Sequence, residues 1–221
     1  MTHPIPLKPF YMIRHGQTEA NAARIMAGSL DSPLTQTGRE QAVRAQKVIS
    51  MLSIKPVAIF HSQLSRARDT AQIINETLSV ELYEDQNLAE IHAGDLEGAP
   101  YEDCLELFDS WPIIKNGETP NEFFSRVKQG KTRAIERFND PVLIVCHGGV
   151  MRAFGEIHGM ETPGKFENAH LYEFQPNLSQ SAFPWDVYDY RLDENSHNLI
   201  KSRSNIYDFG LNQPSAAEIA S

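Results

Sequence analysis

This sequence predicts a three-layer αβα fold with a mainly parallel central sheet, and three observations carry that expectation. Apolar runs of strand length stand at "FYMI" from Phe10, "VAIF" from Val57 and "PVLIVC" ending at Cys146. They lack the alternation of a sheet with one wet face, so both faces are expected to be covered. The intervals between them carry apolar residues at helical spacing, and strands alternating with helices imply βαβ units. The third observation is size: 221 residues with 41% hydrophobic side chains suffice for one α/β core. Residues 1–221 are therefore read as a single domain, with no internal repeat and no linker to divide it.

Taken in order, "FYMI" is the first strand and runs into Arg14, His15 and Gly16. Ala42, Ala45, Val48, Ile49 and Leu52 recur at helical spacing after the turn formers Thr37 and Gly38. "VAIF" is the second strand, and Ala67, Ala71, Ile74 and Leu78 mark the helix after it. "VELY" from Val80 is a third strand. After the break "NGETP" a helical pattern runs from about Asn121 to Phe138, and "PVLIVC" follows as the last of the four. Beyond Gln175 the chain is rich in turn formers and aromatics, which predicts irregular structure plus one late strand, ending in a frayed "NQPSAAEIAS".

Composition excludes several classes. The formal net charge is −9, with the acids scattered, which argues against binding nucleic acid or an anionic membrane. No segment is apolar enough to span a bilayer and the start "MTHPIPLKPF" has no signal-like core. Cys104 and Cys146 have neither metal-ligand nor redox spacing, so a reducing compartment, the cytoplasm, is expected.

In open α/β sheets, ligands bind beyond the carboxyl ends of the strands, and those ends are where this sequence concentrates reactive side chains. The first strand stops at Arg14-His15-Gly16 and the last at His147-Gly148-Gly149. The second stops at "HSQLSRARDTA", which carries Arg66 and Arg68 into a helix start, where free backbone amides favour an anion. The loop "LAEIHAGDLEG" holds Glu90. Singly, each has an ordinary structural reading: a capped histidine, an ion-paired arginine, a glycine pair in a tight turn, a solvated Arg68. Their recurrence at one kind of place points to a phosphate site.

These segments resemble the histidine phosphatase superfamily, in its phosphoglycerate-mutase-like branch, from Phe10 to about Tyr172. "RHGQTEAN" is similar to the family's RHG signature, "SPLTQTGREQA" to its P-L-T-x-x-G segment, and "SQLSRARDTA" to the segment carrying its phosphate-binding arginine. "LAEIHAGDLEG" resembles the segment with its acid, and "VCHGG" the one with its second histidine. Five segments in the family's order make the resemblance specific. Ala20, where a bulky residue is frequent, and His61, in place of a usual serine, depart from it.

The resemblance implies that His15 attacks phosphorus, Glu90 serves as general acid and base, and His147 completes the catalytic set. Arg14, Arg66, Asn21, Gln17 and Gly148 would hold the phosphate. The chemistry suits these residue types. Imidazole, with a reference pKa of about 6.5, is a good nucleophile near neutrality, and guanidinium forks offer paired hydrogen bonds to phosphate. Positioning and fixed positive charge do most of the work in phosphoryl transfer, so neither metal nor cofactor is required. A bound phosphate dianion would offset the arginines and favour a protonated Glu90. Asn21 has a second reading, as a cap on the following helical turn.

The expected activity is hydrolysis of a small phosphomonoester through a phosphohistidine. The alternatives are a cofactor-dependent phosphoglycerate mutase, for which Arg152 or Lys165 would have to supply cations, and a catalytically inactive phospho-ligand or protein-binding module. A short helical lid is expected near 99–118, where Glu102, Asp103, Glu106 and Asp109 outnumber the single cation Lys115. Such a lid would repel a doubly anionic substrate, so the rest of the substrate is expected to be neutral, apolar or cationic, with Tyr101, Phe108 and Trp111 as walls. The same acids read equally as a solvated helix face with the aromatics in the core. Oligomeric state, a dimer included, is left open.

Overall fold

Strand β1 (Phe10–Arg14) is buried at every residue and lies inside the sheet, parallel to β4 (Leu143–Cys146) on one side. The computed structural model describes residues 5–160, 166–180, 183–193, 195–196 and 198–207, apart from the side chains of 108 and 109. With β2 (Ala58–His61), β3 (Glu81–Glu84), β5 (Leu171–Pro176), β6 (Trp185–Leu192) and β7 (Leu199–Arg203), the strands form one sheet in the order β3-β2-β4-β1-β5-β6-β7. The first four in that order are parallel, as expected from their uniform burial. Edge strand β3 is the exception, with Glu81 and Glu84 exposed.

Successive residues of each strand feed opposite faces. Phe10, Met12, Phe60, Ile144 and Phe174 pack with α5 (Pro120–Glu136) and α6 (Gly148–Glu156), through Phe123, Val127, Val150 and Phe154. Tyr11, Ile13, Ile59, Leu143 and Val145 pack with α2 (Gln36–Ser50) and α3 (Ser65–Leu78), through Ala45, Ile49, Ala67 and Ile74. Helices therefore cover both faces of the sheet, and the short α1 (Glu19–Ala22) and α4 (Leu105–Ser110) lie in the connections after β1 and β3. Each large apolar side chain so buried contributes roughly 2 kcal/mol.

Two local expectations are corrected. Beyond Gln175 there are two strands, β6 and β7, and with β5 they extend the sheet antiparallel from β1. In "WDVYDYRL" Trp185 and Val187 alternate with partly exposed Asp186 and Tyr188 and pack on one face, while Tyr190 is buried on the other, and surrounding turn formers obscured the pattern. The final residues 208–221 lie outside the described ones. Gly38 is not a turn before α2 but lies inside it. Thr35 caps the helix, accepting from the Gly38 N–H at 3.0 Å, and glycine is required because a Cβ there would stand 2.0 Å from the Gln17 carbonyl oxygen. The close approach docks the helix start against the loop after β1.

Lys131, on α5, is completely buried. Its Nζ lies 2.7 Å from Met12 Sδ and 3.9 Å from the Phe154 ring centre, and burial pushes its pKa down to about 7. The unfolded chain keeps the ordinary lysine value of about 10.4, so between those values it holds the extra proton and stability rises with pH. Lys131→Met, which preserves the unbranched shape, is expected to raise stability at neutral pH by on the order of 2 kcal/mol and to flatten that rise. Urea unfolding from neutral to alkaline pH measures both effects, and a destabilised variant with unchanged slope would refute the assignment.

Candidate active site

Because Arg14 is paired with Cys146 in the parallel register, the residues that follow them are neighbours. His15 donates its backbone N–H to Cys146 O at 3.0 Å, and the His15 and His147 rings are 5.1 Å apart. Both are buried, at 3% and 0% exposure, alongside Arg14 at 7% and Arg66 at 2%. So many polar groups withdrawn from water must be held by partners.

Those partners define the protonation states. His15 Nδ1 lies 2.7 Å from Gly16 O. A carbonyl only accepts, so Nδ1 carries the proton and Nε2 keeps its lone pair. His147 Nδ1 faces Arg66 Nε at 3.3 Å, and a guanidinium only donates, so Nε2–H of His147 donates to Ser62 Oγ at 2.8 Å. Burial, followed by the positive charge of Arg66, lowers the pKa of each imidazole well below the ordinary 6.5. Both are neutral at physiological pH.

The arginines surround this pair. Arg66, near the start of α3, also donates to Leu30 O at 2.8 Å and Gly28 O at 2.7 Å. Thr70, one turn along α3, bridges Arg66 O and the Gly16 N–H. Arg14 donates Nη1 to Phe166 O at 2.8 Å, while its Nε is buried without a hydrogen-bond partner. An orphaned guanidinium N–H is costly, and an incoming anion would satisfy it.

Glu90 enters from the loop after β3. Its Oε1 accepts from the Ile91 N–H and its Oε2 from the Gly149 N–H, both at 2.9 Å, so the acid caps the first turn of α6. Arg126 on α5 supports the loop, donating to Ala89 O at 2.7 Å and Glu90 O at 2.9 Å and pairing with Glu118 at 2.6 Å. Glycine at 149 makes room for the carboxylate: a Cβ there would lie 2.1 Å from Glu90 Oε1, and the carboxylate would have to move.

Arg14 and Glu90 open onto a cavity of about 350 Å³, lined also by Asn21, Gly148, Tyr101 and Phe166, whereas the buried His15, Arg66 and His147 are not among its lining residues. Asn21 lines the cavity, and its Oδ1 accepts from the Thr18 N–H in a capping box, which is its second expected reading. Gln17 does not line it, because its Oε1 is taken by Thr35 Oγ1 at 2.9 Å. Arg68 is exposed and bonded to Asp69, in line with its ordinary reading. Of the expected aromatic walls, Tyr101 is in place. Trp111 packs in the core against Phe123 and Phe124, and the Phe108 side chain lies outside the described set.

Sequence reasoning missed Ser62, Phe166 and Asn168, whose Nδ2 donates to His15 O at 2.9 Å. Ser62 had a signal, as the residue after a strand that ends beside the two histidines. Phe166 and Asn168 had none. The lid acids are also redistributed. Glu102 lines the cavity but is bonded to Arg24 at 2.6 Å, while Asp103 and Glu106 are exposed and do not line it. Arg24 and Arg152 line it too. Lys165 lies outside the described residues.

The neutral histidines tie stability to pH. The unfolded chain protonates them from about pH 6.5 downward and the folded one does not. Stability present above that pH is therefore lost on acidification. The urea midpoint is expected to fall between about pH 7 and pH 5, and less steeply in His15→Asn. Equal slopes in the two proteins would exclude His15 as a contributor.

The α/β sheet thus gathers two neutral histidines, two buried arginines and a helix-capping glutamate at its carboxyl edge. The chain belongs to the histidine phosphatase superfamily (branch 1), whose pattern it matches over residues 10–193. It is 31% identical over 195 residues to the uncharacterized phosphatase PhoE of Bacillus subtilis, covering 86% of this chain and 97% of that one. It is 32% identical over 174 residues to a metal-independent phosphoserine phosphatase of Arabidopsis thaliana, covering 72% and 73%. The structure of mycobacterial glucosyl-3-phosphoglycerate phosphatase in complex with VO3 superposes with a TM-score of 0.70 at 25% identity, over 81% of this chain and 97% of that one. Among the described residues no helix is long and apolar enough to cross a membrane.

Proposed function

We propose that the protein is a metal-independent phosphomonoester phosphatase acting through a phosphohistidine on His15. The observation that carries this reading is the Nδ1 hydrogen bond to Gly16 O, which leaves Nε2 of a buried, neutral imidazole as the nucleophile. Nε2 attacks phosphorus. The P–N bond forms as the P–O bond to the leaving group breaks, and Glu90 gives that oxygen a proton. Glu90 then takes a proton from water as its oxygen attacks phosphorus, the P–N bond breaks, and phosphate leaves.

Charge on the transferring group is met by Arg14 and Arg66, with the unpartnered Arg14 Nε turning to a phosphate oxygen. The Gly148 N–H, at the start of α6, and Asn21 add neutral donors, and His147 joins by redirecting Nε2–H from Ser62. The rest of the substrate lies against Tyr101, Leu105 and Phe166, under a lid formed by residues 99–118. The test is turnover of an aryl phosphate in EDTA, with rapid acid or alkaline quench of the enzyme. An alkali-stable, acid-labile phosphoenzyme that forms and decays at the rate of turnover is expected. A chelator-sensitive activity with no such species would overturn the reading.

A second reading, phosphoglycerate mutase, is favoured by one observation: Arg24 and Arg152 line the cavity and could bind a second anionic group. Isomerisation of 3-phosphoglycerate in the presence of a bisphosphorylated primer, faster than its hydrolysis, would establish it.

A further inference from the structure

Beside the catalytic cavity, sharing Glu90 as a border, lies an open groove of about 900 Å³ between the loops after β2 and β3 and the exposed side of α5. Its lining is unlike that of the catalytic cavity. Five carboxamides face it, Gln63, Gln86, Asn87, Asn121 and Gln129, and Ala89 supplies the one apolar side chain among its lining residues.

The charged side chains in the groove, Glu90 included, are already hydrogen-bonded. Arg126 is paired with Glu118 and anchored on Asn87 O, Ala89 O and Glu90 O. Glu122 accepts from Thr119 Oγ1 at 2.7 Å and from the Thr119 N–H in the capping box of α5. The one guanidinium is committed and carboxylates outnumber it, so a phosphate or a carboxylate is disfavoured here.

The amides, by contrast, keep most of their capacity. Asn87 Nδ2 reaches Gln129 Oε1 at 3.5 Å, and Gln129 Nε2 reaches Ser125 Oγ at 3.4 Å, both at the weak limit of a hydrogen bond. Gln63 Oε1 is buried without a partner, a cost that a donor entering the groove would remove. Each carboxamide offers two donors and one acceptor. Glu90, Glu118 and Glu122 against Arg126 leave the lining acidic, which disfavours an anionic ligand, and the free hydrogen-bonding capacity lies in the carboxamides, a mixture of donors and acceptors that suits a ligand carrying hydroxyls on every side and no negative charge.

We propose that this groove is a binding site for a neutral saccharide. A peptide matches it less well, since Ala89 is the one apolar side chain in the lining against which its own apolar side chains could pack. The proposal is independent of the phosphatase reading, and aryl phosphate turnover tests that reading separately.

The experiment is a titration of the full chain with neutral oligosaccharides of gluco, galacto and manno configuration, and with an uncharged tripeptide, followed by amide and side-chain NMR. Millimolar binding by at least one saccharide is expected, with the carboxamide signals of Gln86, Asn87 and Gln129 shifting. Gln129→Leu and Gln86→Leu, both away from the reacting atoms, are expected to weaken it about tenfold each, while aryl phosphate kcat/KM stays within about twofold. Three results would overturn the proposal: no saccharide shifting these signals up to its solubility, binding unchanged in both variants, or a preference for the tripeptide.

Discussion

His15→Ala is expected to lower kcat for an aryl phosphate by about 10⁴-fold or more and to abolish the quenched phosphoenzyme. The argument is chemical. Without Nε2, water must attack phosphorus directly, and the division of one displacement into two is lost. Arg14, Arg66 and Glu90 remain, so some catalysis over free solution persists through charge and binding. Added imidazole is expected to restore part of the turnover without restoring a protein-bound phosphate. Thermal unfolding separates this from damage to the fold: the variant loses a buried neutral ring and its single side-chain bond to Gly16, so a cooperative transition should persist. A drop of less than tenfold, or a phosphoenzyme still formed, would move the nucleophile elsewhere.

Gly149→Ala is expected to cost about 10²-fold in kcat while leaving the helix intact. Alanine is better than glycine within a helix, and Gly149 is the second residue of α6, so local propensity favours the change. The added Cβ would stand 2.1 Å from Glu90 Oε1 and 2.9 Å from its Cδ. The carboxylate must therefore swing away, giving up the Gly149 N–H bond and the position from which it serves the leaving oxygen. Gly148→Ala is the control, since a Cβ there meets Arg14 Nε at 3.6 Å, an ordinary contact, and a loss of less than about tenfold is expected. If the two variants behave alike, the placement of Glu90 is not what limits the reaction.

Much of the site was legible because the sequence places its reactive side chains at strand ends. Parallel strands of an α/β sheet all deliver their carboxyl ends to one edge, so Arg14-His15, Arg66 and His147-Gly148 are expected to converge from the sequence alone. The buried strands were equally legible, as uninterrupted apolar runs in "FYMI" and "LIVC". Errors arose where a local signal had two physical causes. Gly38 looked like a turn former but is a helical residue pressed against the Gln17 carbonyl. Trp111 and Tyr101 were alike as aromatic candidates for the cavity wall, and only Tyr101 serves.

What the sequence by itself determined is which residue types stand at the edge of the sheet and which faces of each element are covered, since burial pattern and spacing are properties of the local chain. What only the tertiary structure decided is who meets whom. The order β3-β2-β4-β1 brings His15 against His147, and the loop after β3 sets Glu90 on the Gly149 amide. Arg24 neutralises Glu102, and a segment without any motif, around Phe166 and Asn168, closes on Arg14 and His15. Periodicity reports that a face is buried, not what it is buried against. That second fact depends on contacts between residues far apart in the chain, and these contacts set the tautomers and the charge of the site.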